Sequence, residues 1–547
     1  MVGLHSIVQG QCTFSTRNYA NSSAVNAGAL TSVNNPNNAV DNDPATSSTI
    51  NRNVGVGNLI TVTQFISFSS TIAAGTPVTI KLSVPASLVS LLGGVSIQPF
   101  TGLKNDITTG FVNQATAAGD PITNASLLGL IGGAGDSEIT FTPKSGSTNV
   151  AYSGVWVTMS GVAIGQSIKV YDAYVMQTGT TQANCGTAVD VLAGTRAALG
   201  LSIVNATGSV DNPTNAIDNS TSTYAQLNVG AQVLSEAYLT TVFNTPSQPG
   251  DVVRMILQNV SGGAVNLGLI SNFTIQLYNG STAVGSPIQS SSSNLTLTAL
   301  TASSVSDQYQ LDIKSLPTDA AFDRVDLQIG GVTAVGTSLR IYDVKRLPAT
   351  PVPAMDGTVS SSKAVCRGNT STLSVSNPQT NCTTYNWYSS ASGGAALATG
   401  TSYAPTAAGL GTSNTYYVQA NRIGCTEVSD RIPVTINVNP LPGITYSGTP
   451  RACKGTIAAS ISYTPSNAPT TYSIVWSAAA LTAGFANVTD AVLPPGTLTV
   501  AVPVGAAPNN YTGTITVKNG NGCLSTGAPF SVIVDDKPTS PVLTVAN

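Results

Sequence analysis

Ser32-Val-Asn-Asn-Pro-Asn-Asn-Ala-Val-Asp-Asn42 returns later in the chain as Ser209-Val-Asp-Asn-Pro-Thr-Asn-Ala-Ile-Asp-Asn219. Working outward, Tyr152-Ser-Gly-Val-Trp-Val-Thr-Met-Ser-Gly161 aligns with Phe322-Asp-Arg-Val-Asp-Leu-Gln-Ile-Gly-Gly331, and Ile168-Lys-Val-Tyr-Asp172 with Leu339-Arg-Ile-Tyr-Asp343. The matched pieces keep their order at a nearly constant offset. Residues 12–180 and 181–348 therefore read as two copies of one domain. A repeat of this length is a duplicated domain, not a solenoid unit.

Both copies read as strands. Leu59-Ile-Thr-Val-Thr-Gln-Phe-Ile66, Val78-Thr-Ile-Lys-Leu-Ser-Val84 and Phe273-Thr-Ile-Gln-Leu277 alternate with a period of two, and Gly, Asn, Ser and Pro separate them. Single helical turns are allowed only at residues 115–118 and 127–131. The expectation is all-β: tandem β-sandwiches, the two duplicated ones jelly-roll-like. Proline then marks three boundaries: Leu347-Pro-Ala-Thr-Pro-Val-Pro353, Asn439-Pro-Leu-Pro442 and Lys537-Pro-Thr-Ser-Pro541. Proline fixes φ and lacks an N–H, so these read as stiff, extended linkers. They set off two segments of immunoglobulin-like size, 349–440 and 441–537, after a tail or signal remnant at 1–11 and before a further module starting at 538–547.

Each of these segments carries Cys, Trp and Cys in order: Cys366, Trp387 and Cys425, then Cys453, Trp476 and Cys523. The order matches the immunoglobulin framework, with both tryptophans expected in the core. The cysteines sit at strand ends, however. The expected disulfides, Cys366–Cys425 and Cys453–Cys523, would each staple one end of a sandwich. Cys12 and Cys185 lie just ahead of the two duplicates and are expected to pair, while Cys382 competes for Cys366 or Cys425 or links to another chain.

Cys366-Arg-Gly368, Asn386-Trp-Tyr-Ser389, Thr415-Tyr-Tyr-Val418 and Gly424-Cys425 resemble the immunoglobulin-like modules of giant Bacteroidota surface proteins exported by the type IX system. Ala452-Cys-Lys-Gly455 and Asn519-Gly-Asn-Gly-Cys523 resemble their PKD-like variant. The resemblance implies a secreted, cell-surface location. Widely spaced cysteines without C-x-x-C agree with an oxidising compartment.

Of 547 residues only 8% are charged, 21 basic and 24 acidic, for a net charge of −3. That leaves no electrostatic footprint for nucleic acid, and no run of 18 apolar residues predicts a membrane span. His5 is the only histidine, so triads and most acid–base schemes lack their usual residue. The chain is expected not to be an enzyme.

The repeated loop supplies the candidate ligand residues Asp41, Asn42, Asp218 and Asn219. It resembles the first loop of discoidin-like carbohydrate-binding sandwiches, and Asp41 and Asp43 offer oxygens suited to calcium. No other cofactor is expected. The plainer reading is a turn in which Asp41 and Asp218 bond their own backbone. Trp156 aligns with Asp326 between apolar neighbours, so it points away from the core, as a sugar platform or beneath a covering loop. The functional expectation is a non-catalytic surface adhesin or filament protein, part of a longer chain, whose partner is an extracellular glycan, a protein or another copy of itself in a fibre. The alternatives are a lectin-like pair on an immunoglobulin-like stalk, or an accessory region of a large secreted hydrolase.

Overall fold

The computed structural model describes residues 14–28, 30–52, 61–84, 94–102, 115–123, 134–160, 166–179, 186–197, 208–229, 235–260, 273–289, 292–293, 295–300, 308–315, 320–330, 338–379 and 382–539. The chain divides into two compact units. One comprises residues 1–350 with 379–385 and 419–430; the other comprises 351–378, 386–418 and 431–547.

In the first unit a lead strand, Phe14–Tyr19, precedes ten principal strands of the first copy. These are β1 (Ser22–Asn26), β2 (Thr31–Asn34), β3 (Ser48–Arg52), β4 (Val62–Ile72), β5 (Val78–Val84), β6 (Val95–Thr101), β7 (Thr116–Ala117), β8 (Ala134–Phe141), β9 (Tyr152–Met159) and β10 (Gln166–Gly179). The second copy supplies β11 (Ala188–Ala197), β12 (Gly208–Asp211), β13 (Ala225–Val229), β14 (Ser235–Phe243), β15 (Val252–Asn259), β16 (Phe273–Asn279), β17 (Thr282–Gln289), β18 (Gln308–Lys314), β19 (Arg324–Gly330) and β20 (Ser338–Leu347). One sheet of the first copy runs β1-β4-β9-β6-β7, and its counterpart runs β11-β14-β19-β16-β17. The other runs β2-β3-β10-β5-β8, and its counterpart β12-β13-β20-β15-β18. The order of the principal strands thus repeats along with the short motifs.

Alternation decides the cores. Ile66, Ile80, Leu82, Val155, Val157 and Met159 are buried in one, and Leu239, Val253, Val325, Leu327 and Ile329 in the other. The copies share a sheet, because β8 pairs with β11 at Ala134↔Thr195 and Gly135↔Gly194. Gly135 has φ 118°, and a Cβ there would lie 2.5 Å from the Ala193 carbonyl oxygen. Only glycine allows the two backbones to approach this closely.

The second unit holds most of the immunoglobulin-like pair. The first domain has β21 (Ser362–Cys366), β22 (Thr383–Tyr388), β23 (Ser413–Arg422) and β24 (Ile432–Asn439), in the order β21-β24-β23-β22. The next has β25 (Arg451–Cys453), β26 (Pro469–Trp476), β27 (Asn509–Asn519) and β28 (Ala528–Asp535), in the order β25-β28-β27-β26. In each, the strand that ends in cysteine runs parallel to the last strand, β21 to β24 and β25 to β28. Trp387 is fully buried and its indole N–H donates to the Gly400 carbonyl at 3.0 Å. Trp476 is buried against Phe485 and Phe530.

Two readings of helix are corrected. The allowed helical turn at 115–118 is instead the short strand β7, hydrogen-bonded to β6; residues 127–131 lie outside the described residues. A one-turn helix, α1 (Ala478–Thr482), occurs elsewhere, with Ser477 capping the Ala480 amide. In the first proline stretch Leu347 and Ala349 are buried, and the Ala349 N–H donates to the Gln379 side-chain oxygen.

The disulfides differ most. Cys366 is bonded to Cys523, which joins the two immunoglobulin-like domains instead of stapling one, and Cys453 is free. The cause is strand direction. Cys453 pairs beside Asp535 at the end of β28, whereas Cys523 precedes its start. An eight-residue strand spans about 23 Å, and a disulfide tolerates a Cα separation of no more than about 7 Å. Cys366 likewise lies beside Asn439, at the end of the domain from which the chain enters the next one. Cys382 and Cys425 are both disulfide-bonded, and the Ile423 N–H donates to the Cys382 carbonyl at 2.8 Å. The expected Cys12–Cys185 pair lies outside the described residues.

Candidate functional site

The repeated loop is explained residue by residue. Asn35 and Asn212 have φ of 49° and 48°, a left-handed conformation that asparagine tolerates. Pro36 and Pro213 then open a short 3-10 turn, where a missing N–H costs nothing. Ala39 and Ala216 close it fully buried. Asp41 next accepts from the Asp43 N–H at 3.1 Å and the Thr46 hydroxyl at 2.7 Å. Asp218 accepts from the Ser220 N–H at 2.9 Å and the Thr223 hydroxyl at 2.5 Å. Asp43 accepts from the Ala45 N–H at 2.9 Å. Both carboxylate oxygens of Asp41 and of Asp218 therefore close their own turns. Among the described residues no group of three or more His, Cys, Asp or Glu is placed to hold a metal ion.

Asn42 and Asn219 follow in left-handed conformations, φ 62° and 61°. The fold brings them together: both line one cleft of about 760 Å³ with Arg17, Tyr19, Thr187 and Glu427. The remaining candidate, Trp156, stands apart. It is half-buried on the outer face of its sheet, stacked on Phe100 at 16° and edge-on to Phe65. Phe100 thus covers one face of the indole.

Beside the cleft lies a buried ion network that strand patterning does not disclose. Glu138, Lys81 and Asp172 occupy one row across β8, β5 and β10. Arg17 of the lead strand reaches Glu138 at 3.1 Å and Asp190 of the second copy at 3.2 Å. Lys81 also binds Asp190, at 2.5 Å, and Arg324 of the second copy binds Glu138 at 2.7 Å. The Tyr174 hydroxyl donates to Glu138 at 2.8 Å. The side chains of Arg17, Lys81, Glu138 and Asp190 are at most 3% exposed, so each charge depends on its partners. Burial alone would raise the Glu138 carboxyl, but the Arg17 and Arg324 guanidiniums pull it down to about 2. Asp172 goes the other way: burial, then the neighbouring Asp190 charge, push it up to about 7.

A second buried cluster centres on Asp251. Its carboxylate accepts from Arg422 at 2.9 and 2.7 Å and from the Gln379 amide at 3.0 Å. Arg346 lies 3.6 Å away and donates to the Thr245 carbonyl at 2.6 Å. Burial lowers the Arg346 guanidinium to about 10 against the pull of Asp251. Sequence reasoning missed both clusters. The available signal was a charge within an alternating strand, Lys81 for example, in a chain where charges are scarce.

Residues 351–440 match the family described as Ig-like domain, CHU_C associated. Comparison with curated proteins finds no match. Among solved structures, fibronectin(III)-like modules of Clostridium thermocellum CbhA are 14% identical, covering 36% of this chain and all of theirs, with a TM-score of 0.21. The adhesin domain of Epf from Streptococcus pyogenes is 11% identical over 45% of this chain and 84% of its own, TM-score 0.20. The FN1–FN3 domains of chicken CNTN1 are 11% identical over 55% and 94%, TM-score 0.20. Likenesses at this level carry no argument about activity. An immunoglobulin-like module is typical of extracellular proteins, and among the described residues no helix is long and apolar enough to cross a membrane.

Proposed function

We propose that this chain is a non-catalytic, extracellular structural protein: a surface adhesin or filament component, exported by a type IX system. The observation that carries this reading is the Cys366–Cys523 bond between successive immunoglobulin-like domains. It stiffens a joint and leaves its cysteines unavailable for chemistry. The buried pairs between the duplicated sandwiches act in the same sense, because they tie domains together. The module motifs and the family match over 351–440 support the location.

The test is display of the chain on a non-adherent bacterial host. Retention under flow on protein-coated or glycan-coated surfaces, or clumping of the displaying cells, is expected. The reading fails if neither occurs and the purified chain turns over a polysaccharide or peptide substrate.

A lectin-like activity of the duplicated pair is the second reading, favoured by the convergence of Asn42 and Asn219 on one cleft. Asn→Gly at both positions removes the amides while keeping the left-handed backbone. Glycan-array binding that this double variant abolishes would support the reading; an array blank with the parent chain would end it.

A further inference from the structure

Cys366 and Cys453 occupy the same place in successive domains. Each ends a short strand parallel to the last strand of its domain, Cys366 beside Asn439 and Cys453 beside Asp535. Each is followed by a basic residue and a glycine, Cys366-Arg-Gly368 and Cys453-Lys-Gly455. Gly368 and Gly455 have φ of 91° and 90°, the region that favours glycine. The turn's bonds repeat as well. Arg367 and Lys454 donate their N–H groups to the carbonyls of Asn439 and Asp535, and Asn369 and Thr456 donate theirs to Cys366 and Cys453.

The cysteines differ in one respect. Cys366 is bonded to Cys523, in the β27–β28 loop of the following domain, while Cys453 is exposed and free. The preceding copy therefore supplies an independent observation of what this turn does when a domain is docked beyond it. We propose that Cys453 is a docking site for another immunoglobulin-like module, joined by a disulfide to that module's loop cysteine, the equivalent of Cys523. The recognised element is a glycine–cysteine pair after the penultimate strand, as in Gly424-Cys425 and Gly522-Cys523, whose glycines have φ of 80° and 78°. In the bond-forming step each thiol gives up a proton. Two electrons pass to a disulfide oxidant, an oxidoreductase or oxidised glutathione, which becomes two thiols. The inference rests on the surface-protein reading only for an oxidising compartment, and the test below is independent of adhesion.

The full chain is lengthened by a second copy of residues 440–537 joined after Asp535, the register in which Pro440 follows Asn439. Parent and lengthened proteins are oxidised in glutathione buffer, labelled with N-ethylmaleimide and mapped by peptide mass. In the parent, Cys453 takes the label. In the lengthened chain Cys453 is expected in a disulfide with the appended copy of Cys523, and Cys523→Ser in that copy is expected to return the label to Cys453. A labelled Cys453 in a folded, lengthened chain overturns the proposal. Should the appended copy fail to fold, the protein is taken from its own cells with thiols blocked before lysis. Cys453 bonded to a glycine-preceded loop cysteine is expected there; a blocked Cys453, or a Cys453–Cys453 dimer, overturns the proposal. Non-reducing electrophoresis separates the sources: a module in the same polypeptide leaves the mass unchanged, and one on a second polypeptide adds to it.

Discussion

Asp172 and Glu138 lie in one row and answer pH in opposite senses. Asp172 titrates at about 7, above its ordinary value of 3.8. Its protonated form favours the fold, so that contribution is complete below pH ~4 and lost as pH rises through about 7. Glu138 titrates at about 2, below its ordinary 4.5, so its contribution is present above that value and lost as pH falls toward 2. Asp172→Asn is therefore expected to stabilise the chain at pH 8 by on the order of 3 kcal/mol, with the gain shrinking to nothing near pH 4. Urea unfolding at several pH values measures this; a gain independent of pH would refute it. Asp190→Ala should act in the other direction. It removes the carboxylate that Lys81 and Arg17 both bind, at a cost of about 3–5 kcal/mol in the same experiment.

At the scale of elements, the contact between the sandwich copies depends on two glycines facing each other across β8 and β11. Gly135→Ala would introduce a Cβ at a φ of 118° and 2.5 Å from a carbonyl oxygen. A loss of at least ~2 kcal/mol is expected in urea unfolding, with amide exchange quickening first along β8 and β11. The Asp251 cluster offers a parallel case. Arg422→Ala removes two charge-assisted bonds to a fully buried carboxylate and should cost about 3 kcal/mol, whereas Arg422→Lys should recover only part because it cannot reproduce the two-pronged contact.

For the molecule as a whole, the Cys366–Cys523 bond couples the unfolding of two domains. It closes a loop with a sequence separation of 157, which chain-entropy arithmetic values at up to about 5 kcal/mol. With both cysteines changed to serine, the immunoglobulin-like pair is expected to melt at lower temperature and in two transitions, read by calorimetry and by the fluorescence of Trp387 and Trp476. An unchanged single transition would show that the domains are coupled without the bond.

The all-β class, the duplication and the buried strand faces were legible in the sequence, because alternation and turn residues are local signals. The repeated Asn-Pro-x-Asn-Ala stretch was legible for the same reason: each residue answers a backbone or packing demand within its own loop. Val78-Thr-Ile-Lys-Leu even declared which face Lys81 occupies. It did not declare that this face is covered by the second copy, which turns an ordinary surface charge into a buried ion pair. The disulfide pattern failed on the same ground. Order along the chain placed Cys453 and Cys523 in one domain, but strand direction placed them at opposite ends of it. Sequence by itself determined the strands and how often their pattern repeats. Only tertiary structure decided which ends and faces of those strands meet, because such contacts join residues that no local pattern connects.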